Sequence, residues 1–80
     1  MRDSLPSSAI DLALARSFIV VAEQRHFGRA AAALHLTPSS LSRQITRLER
    51  QVGARLLDRT PRGTQLTEAG RSFLPLATEA

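Results

Sequence analysis

The chain has 80 residues, enough for one small domain with a modest core. It contains no cysteine, which excludes a disulfide framework and thiolate chemistry, and its longest apolar run, Phe18 to Ala22, is far too short to cross a bilayer. The net charge of +4 comes from arginine without any lysine, and residues 25–62 hold eight arginines against Glu49 and Asp58 while both flanks are slightly acidic, a field suited to phosphate or another polyanion.

Residues 1–10 read as a polar, turn-prone lead-in without the apolar segment of a signal peptide, so the expected location is cytoplasmic. From Asp11 to Arg25 the pattern is helical. Leu14, Phe18, Val21 and Ala22 form one side, with Ala15 and Ile19 beside them. His26 and Phe27 break that pattern. Gly28 to His35 reads as a short helix built on alanine, whose slim side admits another helix, and Leu36-Thr37 is a tight link.

The next helix carries the chemistry. Thr37 is a good N-cap, Pro38 suits the first helical position, and Gly53 stands where a capping glycine would end the helix, giving a span of 38–52. At about 100° per residue, Leu41, Ile45, Leu48 and Val52 fall on one narrow stripe. Arg43, Arg47 and Arg50 fall nearly opposite, with Ser39 among them and Ser42 and Thr46 at their flanks. One face needs a core, and the other presents donors and positive charge.

Leu56 and Leu57 then lead into Thr60-Pro61-Arg62-Gly63, a turn tetrad with proline second and glycine fourth. Thr64 and Leu66 resume an extended pattern, so residues 57–66 are expected to form a β-hairpin with Arg59 and Arg62 at or near its tip. Thr67 caps a last helix carrying Phe73, Leu74 and Ala77, which Pro75 is expected to kink or weaken.

Helix, short helix, tight turn, longer helix and hairpin make a mainly α winged helix-turn-helix: a three-helix core, a small β-hairpin wing and the start of a further helix. This motif places its second helix in the DNA major groove. Pro38, Ser39, Ser42 and Arg43 are the candidates for base or groove contact. Arg43 is the best guanine reader, because its fork can meet O6 and N7 together. Arg62, at the wing tip, is the candidate for the minor groove. Arg29, Ser40, Arg47, Arg59 and Thr60 are the phosphate candidates, which set register rather than sequence. Arg50, Arg55 and Arg71 are read as solvated or paired. The expected core includes Ala30, Ala31, Leu34, Leu36, Leu41, Ile45, Leu48, Leu56 and Leu66.

Other chemistries lack their residues. His26 and His35 have no third ligand at metal-binding spacing, no serine has a His and Asp arrangement, and no glycine-rich phosphate loop appears, so an enzyme is not expected. The three phenylalanines all occupy core-like positions, which leaves no stacking platform for RNA bases. The rival reading is a basic protein-interaction module binding an acidic partner; the projecting wing arginine weighs against it.

The ordered residues resemble the DNA-binding domain of LysR-type transcriptional regulators over about residues 11–77. The matching positions are Phe18 in the first helix, Ala30-Ala31, Leu34, Thr37, Ser42-Arg43-Gln44-Ile45, Leu48-Glu49, Gly53, Leu56, Arg59, Leu66-Thr67 and Ala69-Gly70. There are departures. His26 stands where serine usually opens the second helix, and its imidazole is expected to cap less well and to be available to phosphate. Leu57 replaces a common phenylalanine, and Pro38-Ser39 replaces a common Gln-Pro pair, so the base read at the first helical turn is not carried over.

The resemblance implies a sequence-specific regulator that binds a partly dyad-symmetric double-stranded operator as a homodimer, or as a tetramer at full length, without a membrane partner. It implies a DNA-binding domain over 11–66 and, over 67–80, the start of a linker helix that pairs with its twin. No cofactor is expected in this domain. A small-molecule effector would bind a C-terminal domain that this chain has no room for, and the expected setting is the nucleoid.

Overall fold

The computed structural model describes residues 11–79, so the expected lead-in over 1–10 lies outside the described residues. Six elements follow in order: α1 (Leu12–Gln24), α2 (Phe27–Ala33), α3 (Pro38–Val52), β1 (Leu57–Thr60), β2 (Gly63–Leu66) and α4 (Glu68–Glu79). The architecture is the expected winged helix-turn-helix, three helices closed by a two-stranded antiparallel hairpin and followed by α4.

Each helix starts where a side chain can satisfy its first N–H groups. Asp11 accepts from Ala13 N at 2.9 Å and Thr37 accepts from Ser40 N at 3.1 Å. Thr67 accepts from Gly70 N at 2.9 Å and donates to the Arg55 carbonyl at 2.6 Å, tying α4 to the wing's approach. His26 does cap α2, its Nδ1 accepting from Arg29 N at 3.1 Å, so this imidazole serves where a weaker cap was expected. α2 therefore begins at Phe27 and ends at Ala33, a frame shifted slightly from 28–35. It closes in a Schellman pattern: His35 N bonds Ala32 O at 3.1 Å, Leu36 N bonds Ala31 O at 2.8 Å, and His35 takes the left-handed conformation at φ 58.

α1 is the central element. Phe18 and Val21 are fully buried and pack with Ala30, Ala31, Leu41, Ile45, Leu48, Leu56 and Leu57. The Phe18 and Phe73 rings tilt at 53° with centroids 5.5 Å apart, which joins α1 to α4. Ala30 and Ala31 face this core while Ala32 and Ala33 face solvent, so the slim side of α2 is narrower than an all-alanine helix suggested. Leu34, Leu36 and Leu66 pack against the core but remain half-buried at its margin. Ser17 was absent from the expected interior. It is buried and donates to Gln44 Oε1 of α3 at 2.7 Å.

α4 runs from Glu68 to Glu79 as one helix with Pro75 inside it, so the proline does not end the helix. Proline removes one ladder hydrogen bond. Phe73 on one side and Ala77 on the other are both held in the core, which anchors α4 across the lost bond.

Candidate nucleic-acid interface

The apolar stripe of α3 determines what its other side can do. Leu41, Ile45 and Leu48 are buried and Val52 packs against the core, so Ser39, Arg43, Arg47 and Arg50 are driven to solvent, while Pro38 is exposed as the first residue of the helix. The two flanks are anchored. Toward α1, Gln44 receives the Ser17 hydroxyl, and Gln51 Oε1 accepts from Asp11 N at 3.0 Å. Toward the wing, Glu49 Oε2 accepts from Leu56 N at 2.8 Å and Leu57 N at 3.3 Å. Charge-assisted bonds to backbone N–H groups are the stronger kind, so this carboxylate fixes the wing's first strand to the end of α3. Glu49 points into this junction, and Arg50 beside it in sequence is exposed.

The leading turn of α3 is organised by its hydroxyls. Thr37 Oγ1 and Ser39 Oγ lie 3.3 Å apart, and Arg43 Nη2 donates to Ser40 Oγ at 3.3 Å. Arg43 is thus carried on the exposed face by a neighbour one turn earlier. Ser40 and Ser42 are half-buried. Ser42 sits at the flank rather than on the outer face, lining a cleft of about 220 Å³ with Phe27, Ile45, Thr46, Glu49, Arg55, Leu57 and Arg59. Thr46 is exposed beside it and is the better placed of the two for an external ligand.

β1 and β2 pair antiparallel with Leu57 opposite Leu66 and Thr60 opposite Gly63. The turn is held by Thr60, whose hydroxyl donates to Gly63 O at 3.0 Å and accepts from Arg62 N at 3.2 Å. Gly63 adopts φ 125, a conformation open to glycine. Arg62 is therefore at the tip and exposed, with Pro61 beside it. The Thr60 hydroxyl, a phosphate candidate, is engaged within the turn. Arg59 lies back from the tip: its Cζ stands 3.8 Å from the centre of the Phe27 ring. Phe27 is accordingly half-buried under a guanidinium rather than a core residue, and the sequence pattern missed this pairing. Arg29 is exposed on α2.

Arg55 and Arg71 are engaged within the wing and its approach to α4. Arg55 pairs with Asp58 at 3.2 Å and donates to Leu57 O at 3.2 Å, and Arg71 donates to Leu66 O at 3.3 Å. Among the described residues, no cluster of three or more potential metal ligands occurs and no helix is long and apolar enough to cross a membrane. One surface thus gathers the outer face of α3 and the wing, separated by a shallow cleft and dominated by arginine.

Residues 12–71 match the family model described as bacterial regulatory helix-turn-helix protein, lysR family. The chain is 55% identical over 65 residues to an uncharacterized HTH-type transcriptional regulator, YnfL, of Escherichia coli, covering 81% of this chain and 22% of that protein. It is 47% identical over 70 residues to the HTH-type transcriptional activator IlvY of Salmonella typhimurium, covering 88% of this chain and 24% of that protein. The chain therefore spans about a quarter of the length of these curated relatives. Among solved structures, the CbnR DNA-binding domain in complex with DNA superposes with a TM-score of 0.82 at 37% identity, over 88% of this chain and 80% of that one.

Proposed function

The chain belongs to the lysR family of bacterial regulatory helix-turn-helix proteins, and from that premise we propose that it is the sequence-specific, double-stranded-DNA-binding domain of a transcriptional regulator. The observation that carries the reading is the outer face of α3, where Ser39, Arg43 and Arg47 are all exposed opposite the buried Leu41, Ile45 and Leu48, with Pro38 exposed at the helix's leading end. α3 enters the major groove with its N-terminal turn foremost, and its macrodipole adds partial positive charge there. Arg43 reads a base edge, most favourably guanine. Ser39 contacts the groove beside it, and Ser42 contributes from the flank. Arg62 enters the adjoining minor groove. Arg29, Ser40, Arg47 and Arg59 bind phosphate and set register, with Thr60 contributing through the wing turn.

The active species is a homodimer on a partly dyad-symmetric operator, because two copies related by a two-fold axis present two recognition helices to inverted half-sites. α4 supports this: Leu76 is 62% exposed on its outer side, an apolar residue available to a second copy. The setting is the bacterial cytoplasm, at the nucleoid. An effector-binding domain following α4 in the whole protein would supply small-molecule control, and no cofactor is assigned to this domain.

The test is duplex binding over a range of salt. Phosphate contacts release counterions, so log Kobs should fall linearly with log salt, with a slope of about −0.9 per phosphate neutralised. Arg47→Ala should reduce that slope by about one contact and weaken every duplex alike, by about 1.5 kcal/mol. A loss confined to one sequence would instead make Arg47 a base reader. Salt-independent binding would remove the polyanion reading altogether.

A further inference from the structure

We propose that Phe27 is a positioning residue for DNA contact: its ring holds the Arg59 guanidinium flat and thereby fixes the wing relative to the recognition helix. The inference rests on the DNA-binding reading above. Arg59 Cζ lies 3.8 Å from the ring centre, within the range where a guanidinium is attracted to an aromatic face. Stacking uses the face of the guanidinium and leaves its N–H groups around the edge, in the plane from which a phosphate is gripped. Neither nearby carboxylate competes for them. Asp58 is paired with Arg55, and Glu49 Oε2 is taken by the backbone N–H groups of Leu56 and Leu57.

The stack acts at a defined place. Phe27 opens α2 immediately after its His26 cap and packs against the margin of the core, so the ring is held by the helix-turn-helix and not by the wing. At the same corner, Thr64 N donates to the Arg25 carbonyl at 3.2 Å. The two strands are thus each tied to the α1–α2 corner, β1 through Arg59 on Phe27 and β2 through Thr64 on Arg25. Phe27 and Arg59 together form the wall shared by two clefts. One opens toward Ser42 and Thr46 of α3, and the other toward His26, Thr60, Pro61 and Arg62 at the wing. The wall sets how far the wing stands from α3, and a two-element grip on DNA depends on that spacing.

Leucine at position 27 keeps the apolar volume near the core and lacks the aromatic face. Phe27→Leu should therefore weaken duplex binding about twofold to fivefold. In an Arg59→Ala background the same substitution should cost nothing further, since the residue it positions is gone. A purely structural role would weaken both backgrounds equally, and that result would overturn the inference while leaving DNA binding intact. Arg59→Lys provides a second variant that leaves the core untouched. It keeps the charge and loses the planar stack, so it too should weaken binding, and undiminished binding would overturn the proposal.

A readout without DNA separates the two layers. In the 80-residue chain the Arg59 δ-methylene protons should be shifted upfield by the ring current of Phe27, and the shift should vanish in Phe27→Leu. Unshifted protons in the parent chain would overturn the inference whatever the DNA result. Shifted protons in a chain that binds no duplex would overturn the DNA-binding reading and take the positioning role with it.

Discussion

Gly70→Ala should lower the stability of this domain by about 3 kcal/mol, the upper end of the usual range for overpacking. A Cβ at position 70 would fall 2.1 Å from the Leu56 carbonyl oxygen, 3.1 Å from its carbon and 3.2 Å from Leu66 Cδ2. The nearest obstacles are backbone, so no side-chain rotation relieves them. The Leu56 carbonyl also accepts the Thr67 N–H at 3.0 Å, directly at the start of α4, so moving it disturbs the cap. Helix propensity pulls the other way, since alanine is favoured over glycine inside a helix by about 1 kcal/mol. The sign of the result therefore separates the two effects. For a domain of this size, each kcal/mol moves the melting temperature by about 4–8 °C, so the expected fall is on the order of 12–24 °C. An unchanged or raised melting temperature would mean that α4 does not sit against Leu56 as described.

The second large effect concerns recognition. Arg43→Ala should remove about 1–3 kcal/mol of discrimination at one base pair of each half-site, leaving the preference elsewhere intact. The side chain is staged for this role on the exposed face of α3, steadied by Ser40 Oγ one turn earlier. Binding to a panel of duplexes with single base-pair changes checks it. A flat profile at one position, for the variant alone, is the expected result. An equal loss on every duplex would make Arg43 a phosphate contact like Arg47, and base reading would then rest on Ser39 and the flank residues.

Much of this fold is legible from local chemistry. Thr37, Pro38 and Gly53 delimit α3 at the residues observed, because capping depends on neighbours only a few positions away. Thr60-Pro61-Arg62-Gly63 locates the hairpin turn for the same reason. What escaped the sequence depends on partners far along the chain. Ser17 looks like an interruption of an apolar face until Gln44 is placed opposite it. Glu49 reads as one of a few acids in a basic region, yet its carboxylate holds the backbone of Leu56 and Leu57. Phe27 looks like core until Arg59 folds over its ring. Pro75 was expected to kink or weaken α4; the helix continues past it, with Phe73 and Ala77 buried on either side. A signal was present for some of these. Gln44 and Gln51 recur seven residues apart on one flank of α3, a polar seam that meets α1 at both ends.

The site itself divides in the same way. The exposed face of α3 follows from helical period alone, and Ser39, Arg43, Arg47 and Arg50 stand where that period puts them. The finer placement of Ser42, Thr60 and Arg59 required the hairpin to be docked. Ser42 turns toward the cleft, the Thr60 hydroxyl closes its own turn, and Arg59 lies back on α2.

The most direct test is selection of this chain on random duplexes, followed by titration of the selected duplex and a scrambled control at two salt concentrations. Two inverted half-sites, bound far more tightly than the control and still preferred at the higher salt, are the predicted outcome. Equal and equally salt-sensitive binding to both duplexes would contradict it, reducing the α3 face to a basic surface without base readout.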